Sequence, residues 1–338
     1  MKNLFGKGGV LLLLAVAIIF PLVSDNQYHI YLMSLAFIWT ISAAGLNMLT
    51  GYIGQLNLAH AGFMAIGAYT VGILTVDYGY NFWIAFALSG LIAAAIGFAV
   101  GIIALRLREH YFAIFTMGVG IIIWQLLEKW ESLTHGVHGI IGIPAPANIG
   151  PISFEGSIAP YYLVLFLLVV VLWLMHRIVT SLLGRSFIAV RNSEELAETL
   201  GINLMRNKML AFMLSTGLAG FAGGLYASSV RFLDPNLSSI ENTFEIIIFV
   251  LVGGLGTLFG PLVGAMIVIW VSQYLQFLQD FRMIVFGPLL IALIIFFPYG
   301  IVGNIQQYRA RKAAQKIDAE RDSMKGGAVR KTEAETNA

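Results

Sequence analysis

An all-α polytopic membrane protein, with about ten transmembrane helices in two related halves, is the fold class this sequence predicts. Its composition is the first reason: 58% of the 338 residues are hydrophobic and 11% charged, against about 25% charged in a typical soluble domain. The second is length, since several apolar runs approach the roughly 20 residues that cross ~30 Å of hydrocarbon. The third is where the basic residues fall. Ten crossings are expected at 10–24, 30–50, 52–76, 82–105, 111–127, 160–180, 208–230, 243–258, 261–278 and 283–303. With both termini cytoplasmic, the inner segments hold Lys2, Lys7, Arg106, Arg108, Arg177, Arg185, Arg191, Arg206, Lys208 and the eight basic residues after Gly303. Seventeen of the twenty Lys and Arg are then inside, with Lys129, Arg231 and Arg282 left outside, as the positive-inside rule asks.

The elements follow in order. Val10 to Val23, after Lys2 and Lys7, has the length of a signal peptide, but no small-x-small cleavage site follows Pro21, so it reads as a retained first helix. The stretches 52–76 and 243–278 are dense in glycine, which allows a clean crossing or a broken or re-entrant helix. The external loop 128–160 contains GIPAPANIGP from Gly142 to Pro151, and its prolines and glycines suit a folded-back loop. Residues 1–303 thus form the permeation-type membrane domain, with a cytoplasmic loop at 181–208. The tail 304–338 mixes Lys, Arg, Asp and Glu without sustained apolar periodicity and is expected to be a largely disordered cytoplasmic segment.

Several function classes fall away. The chain has no cysteine, which excludes disulfides, thiolate zinc sites and a thiol nucleophile. There is no G-x-x-x-x-G-K-[ST] to cradle ATP phosphates, no G-x-S-x-G elbow and no H-E-x-x-H helix. His135 and His138 lack a third ligand and read as loop residues, so no metal, no cofactor and no catalytic residue is expected. A net charge of +2 held in a few short segments gives no stripe for nucleic acid. No Asp, Glu, Lys or Arg occurs between Asp25 and Asp77 or between Glu245 and Asp280, whereas ion-coupled carriers usually need a buried carboxylate.

Two glycine-rich segments occupy corresponding places in the halves: GYIGQLNLAHAGFMAIGAY, Gly51 to Tyr69, and VGGLGTLFGPLVGA, Val252 to Ala265. Glycine at this density serves either close helix packing or a helix that unwinds to offer backbone groups to a solute. Paired interruptions favour the second reading. The candidate solute path is therefore Gly54, Gln55, Asn57, His60 and Gly62 with Gly253, Gly254, Gly256, Gly260 and Gly264. A lone membrane histidine is more often a helix–helix hydrogen bonder than a ligand, so His60 is the weakest of the set.

Between two long apolar stretches lies GRSFIAVRNSEELAETLGINLMRNK from Gly184, too short and too charged to cross a bilayer. Asn192 is placed to cap a short helix, with Glu195 completing a capping box and Glu194 favouring the positive end. Leu196, Ala197 and Leu200 give it an apolar side, and Gly201 is placed to end it. Such an element either lies on the lipid or is received by a soluble partner.

Glu195-Leu196-Ala197, three residues and then Gly201 resembles the E-A-A-x-x-x-G loop by which permeases of ATP-binding-cassette (ABC) importers dock onto their ATPases, with Leu196 replacing the first alanine. Four longer stretches resemble the LivM-type permeases of branched-chain amino acid importers: Leu46 to Tyr69, Leu107 to Gly118, Lys208 to Ala227 and Gly253 to Ala265. A fifth is Phe286 to Gly303, so the likeness spans about residues 30 to 303. The resemblance implies docking residues Arg191, Asn192, Glu194, Glu195, Leu196, Ala197 and Gly201. It implies as partners a second permease chain, two cytoplasmic ATPases and a periplasmic binding protein delivering leucine, isoleucine or valine, in a bacterial inner membrane. Where the family often carries Gly-Gly in the external loop, this chain has Thr134-His135-Gly136. Urea and short-amide permeases share the architecture and remain the alternative solute class. A stand-alone channel or secondary carrier is the alternative of another kind.

Overall fold

The computed structural model describes residues 7–275, apart from 25, 108, 149, 151 and 152, together with 287, 299–305, 307, 308 and 312. The described helices are α1 (Lys7–Val23), α2 (Gln27–Asn47), α3 (His60–Gly72), α4 (Phe82–Ala104) and α5 (Glu109–Lys129). They continue with α6 (Glu131–Thr134), α7 (Ile158–Thr180), α8 (Leu182–Asn192), α9 (Glu194–Thr199), α10 (Leu204–Val230), α11 (Ile240–Gly253) and α12 (Gly260–Tyr274). The all-α membrane class holds. The count of ten crossings is not reproduced, because only five helices among the described residues are long and apolar enough to cross: Gln27–Ile53, Phe82–Ala104, His110–Lys129, Ile158–Thr180 and Leu204–Val230.

The difference lies in the glycine-dense stretches. The expected crossing 52–76 is split. α2 runs into a π-helical turn, Met48–Ile53, and the chain is then non-helical until α3 begins at His60. A second π-turn, Ile73–Asp77, closes α3. The region 243–278 forms two short helices, α11 of 14 residues and α12 of 15, separated by a break at Gly254–Phe259. The expected crossing 283–303 lies almost wholly outside the described residues, as does the tail from 313 on.

The long helix α10 is the centre of the bundle and packs on α4, α3 and α2. Small residues permit this: a Cβ on Gly67 would overlap the Gly220 carbonyl, and one on Gly223 would overlap the Met64 carbonyl. In lipid, where apolar burial gains little between helices, backbone approach of this kind supplies the packing. Phe212 fills the space lower in the same groove, edge-on to Phe63 with ring centroids 5.7 Å apart.

At one end of the bundle the connections are extended. Strands β1 (Ile140–Ile141) and β2 (Phe232–Leu233) pair antiparallel, Ile140 with Leu233 and Ile141 with Phe232. His135, predicted as an ordinary loop residue, lies 3.1 Å from Asp77 and ties the loop after α5 to the end of α3. Trp83 Nε1 donates to the Ala147 carbonyl at 2.9 Å and anchors the proline-rich stretch. These ties hold the loop 128–160 folded back over the helix ends.

Candidate functional site

At the opposite end, three elements meet: the π-turn after α2, the loop break after α11, and the short helices α8 and α9. Their sequences explain the meeting. α9 is only six residues long and cannot persist alone, so its ends must be fixed. The residue that caps it is Ser193, whose Oγ accepts from Leu196 N at 3.2 Å. The predicted cap Asn192 is instead the last residue of α8. Ser193 wins because its backbone is extended, φ −163° and ψ 114°, the conformation an N-cap requires. Gly201 ends the helix as predicted. At φ +80° it is in left-handed backbone, and Gly201 N donates to Glu198 O at 2.9 Å while Ile202 N donates to Ala197 O at 3.0 Å, a Schellman closure. Ala197 is buried, whereas Leu196 and Leu200 are 61% and 70% exposed. An apolar face of α9 is thus turned away from the bundle.

Two polar residues of this segment, Arg191 and Glu194, bond inward. The Glu194 carboxylate lies 2.7 Å from Lys208 Nζ and accepts from Gln55 Nε2 at 3.3 Å. Lys208 and Gln55 are both buried, so Glu194 compensates a cation that would otherwise be costly. The Arg191 guanidinium donates from Nη1 to the Gly51 carbonyl in the π-turn. π-turns widen the helix and leave such carbonyls available. Gly54, at φ +88°, passes directly against Arg191, where a Cβ would stand 3.2 Å from Arg191 Cγ.

The second glycine break is held from across the bundle. Asn47, wholly buried at the end of α2, donates from Nδ2 to the Thr257 carbonyl at 2.8 Å and accepts from Gly256 N at 2.8 Å. Gly256 has φ +69° and stands so near Gly51 that a Cβ on it would lie 2.8 Å from both the Gly51 oxygen and Arg191 Nη1. One connected set therefore runs from α8–α9 through Arg191 and Glu194 to both glycine breaks.

The remaining predicted path residues are placed elsewhere. Asn57 and His60 are fully buried. Asn57 Oδ1 accepts from Ala59 N at 3.0 Å, and His60 Nε2 sits 2.9 Å from the Ser42 carbonyl, joining α3 to α2. Gly62 faces Ile123, with a Cβ expected 3.1 Å from Ile123 Cδ1. Gly253, Gly260 and Gly264 form the contact between α11 and α12: a Cβ on Gly253 would overlap Gly260 O, and one on Gly264 would overlap Phe249 O. Gly254, at φ +124°, turns the chain out of α11. The structure thus joins Gly54, Gln55 and Gly256 with Arg191 and Glu194, and does not bring Gly260 or Gly264 to Asn57 or Gly62. Asn47, Thr257 and Lys208 are participants that motif reading passed over; a lone asparagine and a lone lysine at the edges of apolar stretches were their only signals. No cluster of three metal-ligating side chains occurs among the described residues.

Comparison with known proteins agrees with this architecture. Residues 28–294 match the family described as branched-chain amino acid transport system, permease component. The chain is 32% identical over 326 residues to the high-affinity branched-chain amino acid transport system permease protein LivM of Salmonella typhimurium, covering 90% of this chain and 76% of that protein. It is 26% identical to the permease protein LivH of Escherichia coli K12, over 79% of this chain and 91% of that one. A tyrosine transport system permease protein of Clostridioides difficile is 25% identical over 79% of this chain and 82% of its own length. No solved structure matches. The match over most of its length and the multi-pass helical bundle together make this chain a member of the permease-component family of branched-chain amino acid transport systems.

Proposed function

We propose that the chain is the LivM-like membrane subunit of an ATP-driven importer, passing leucine, isoleucine or valine inward from a solute-binding protein. The observation that carries the reading is the closed, capped helix α9, with Leu196 and Leu200 exposed outward while Arg191 and Glu194 are bonded inward to Gly51 and Gln55 of the first glycine-rich segment. A segment that only rested on lipid would gain nothing from that inward set. A lever between a soluble motor and the spans needs both faces, one to be gripped and one to pull. The outward face is the docking surface for an ATPase subunit, formed by Glu195, Leu196 and Leu200. Arg191 and Glu194 transmit the motion, and Ala197 with Gly201 keeps the lever short and rigid.

The partners are a second permease chain, two ATPases that hydrolyse ATP in the cytoplasm, and a periplasmic binding protein. Both termini are on the cytoplasmic side of a bacterial inner membrane. The solute path includes the breaks around Gly54–Asn57 and Gly254–Gly256, where non-helical backbone at membrane depth is tolerated because protein covers it. The test is uptake of labelled leucine and of labelled urea in cells with and without the chain, with its partner subunits present. ATP-dependent leucine uptake that disappears with the chain is the expected result. Urea uptake alone would move the solute to the alternative class, and transport by the purified chain without ATP would overturn the importer reading.

A further inference from the structure

At the other end of the bundle from α8 and α9, the chain from α5 to β1 forms a short strap. It consists of α6, a 3₁₀ turn at Gly136–His138 and the strand Ile140–Ile141. Its far end is fixed, because β1 pairs with β2 and a Cβ on Gly139 would overlap the Leu233 carbonyl. Its near end is fixed too: Thr134 is buried, with Oγ1 2.7 Å from Leu127 O and 2.8 Å from Trp130 O. Between these anchors the strap crosses the end of α3, where a Cβ on Gly72 would stand 3.1 Å from both Ile140 Cδ1 and Leu233 Cδ1.

The middle of the strap meets the π-turn after α3 through a titratable contact. His135 has left-handed backbone, φ +62°, a conformation in which histidine is one of the commoner non-glycine residues. Its ring meets Asp77, the last residue of that π-turn, with Nε2 3.1 Å from Oδ1 and 3.2 Å from Oδ2. The two side chains are 44% and 30% exposed, so solvent protons reach the pair. The other charged or titratable groups on the elements around the ring are Glu128 and Lys129 on α5, Glu131 on α6 and His138 in the 3₁₀ turn. Imidazole is the side chain whose charge changes between about pH 5 and 8. As imidazolium it adds charge attraction to the bond with Asp77, and as the neutral ring it offers at most the hydrogen bond. Acid therefore tightens this contact and alkali slackens it.

Resting on the transport reading above and its outward-facing loop 128–160, we propose that the His135–Asp77 pair is a latch, fastened by external acid, that ties α5 to the end of α3. α3 begins where the first glycine break ends, so a shift of α3 against α5 accompanies any opening of that break toward the outside. The strap spans this joint and is pinned at both ends, which leaves the ion pair as its releasable point. With the latch fastened the joint resists opening and turnover slows; with it slack the joint moves freely. One exposed ion pair supplies a modest bias rather than an on–off gate.

The test uses the assembled transporter in cells lacking other leucine uptake, with internal pH clamped and external pH varied from about 5.5 to 8. Maximal uptake per complex is expected to be about threefold lower at the acid end, the size one exposed pair can give. Asp77→Asn removes the anion, and His135→Asn removes the titratable ring while tolerating left-handed backbone. Both should transport at the fast rate across the range, whereas Glu155→Gln on the same loop keeps the unaltered profile. In the cysteine-free chain, Asp77→Cys with His135→Cys joined by a short bifunctional thiol reagent should be slow at every pH, and a reductant should restore the fast rate. A flat profile in the unaltered complex, an unaltered profile in both Asn variants, or full speed in the cross-linked complex overturns the latch while the transport reading stands. Absence of leucine uptake by the unaltered complex at every pH overturns the transport reading, and the latch with it.

Discussion

The Asn47 side chain clamps the chain at Gly256 and Thr257, 209 and 210 residues away: Gly256 N donates to Asn47 Oδ1 at 2.8 Å, and Asn47 Nδ2 donates to Thr257 O at the same distance. The side-chain amide is the one group that offers a donor and an acceptor at this spacing. The break after α11 is thereby fastened to the end of α2, next to the π-turn that Arg191 grips.

Asn47→Leu should consequently leave two buried backbone groups of the break unpaired, at a cost of about 1–3 kcal/mol each when desolvated. Asn47→Asp keeps the bond from Gly256 N but sets a carboxylate oxygen against the Thr257 carbonyl. Both variants should lower leucine uptake more than they lower the yield of assembled complex, with Asp retaining more activity than Leu. Equal uptake per complex in Leu and wild type, measured after size-exclusion quantitation, would remove Asn47 from the linkage.

Glu194 gives a second prediction. Its carboxylate balances Lys208, which is 4% exposed. Replacing it with Gln keeps a partner for Gln55 and leaves the buried lysine with only a weak acceptor, a loss of about 1–3 kcal/mol. ATP hydrolysis should continue while leucine no longer stimulates it. The double variant Glu194→Gln with Lys208→Met should recover stimulation if charge balance is the role. A double variant no better than Glu194→Gln alone would point to Glu194 contacting something other than Lys208.

How much of this was readable beforehand depends on whether a signal was local. The α9 stop at Gly201 was legible, since left-handed backbone after a short helix calls for glycine. The glycine breaks were legible as places of interruption, because two glycine-dense segments recur in corresponding places of the two halves. Their partners were not. Asn47 and Thr257 are joined by long-range contact, and nothing in the spacing of either marks it. The cap was misassigned by one residue because Asn192 and Ser193 are both good caps, and the deciding factor was that α8 extends through Asn192. The crossing count is not reproduced among the described residues for a related reason. Hydropathy registers a break as part of an apolar run, so 52–76 scores as one span although its first eight residues are the end of a π-turn, an irregular stretch and a turn.

Topology supplies a third prediction. With no cysteine in the chain, single substitutions report sidedness cleanly. Glu195→Cys should resist an impermeant thiol reagent in intact cells and react after permeabilisation, because α9 is expected in the cytoplasm. Ser153→Cys, in the folded-back loop, should react in intact cells. Labelling of Glu195→Cys from outside would invert the assignment and remove the ATPase-docking proposal.

The last prediction separates docking from folding. Leu196 and Leu200 are exposed on α9, so Leu196→Ser with Leu200→Ser should cost the isolated chain little, within about 0.5 kcal/mol for surface positions. If the two leucines are gripped by an ATPase, the double variant should still insert and assemble with the second permease but lose the ATPase in pull-down, and uptake should fall at least tenfold. Gly201→Pro makes the complementary change: proline cannot adopt φ +80° and has no N–H to donate to Glu198 O, so the end of the lever loosens while its outward face is retained. That variant should keep the ATPase bound yet uncouple hydrolysis from transport. Loss of grip in one variant and loss of stroke in the other is the pattern a lever gives, whereas an interfacial helix lying on lipid would leave ATPase retention and coupling untouched in both.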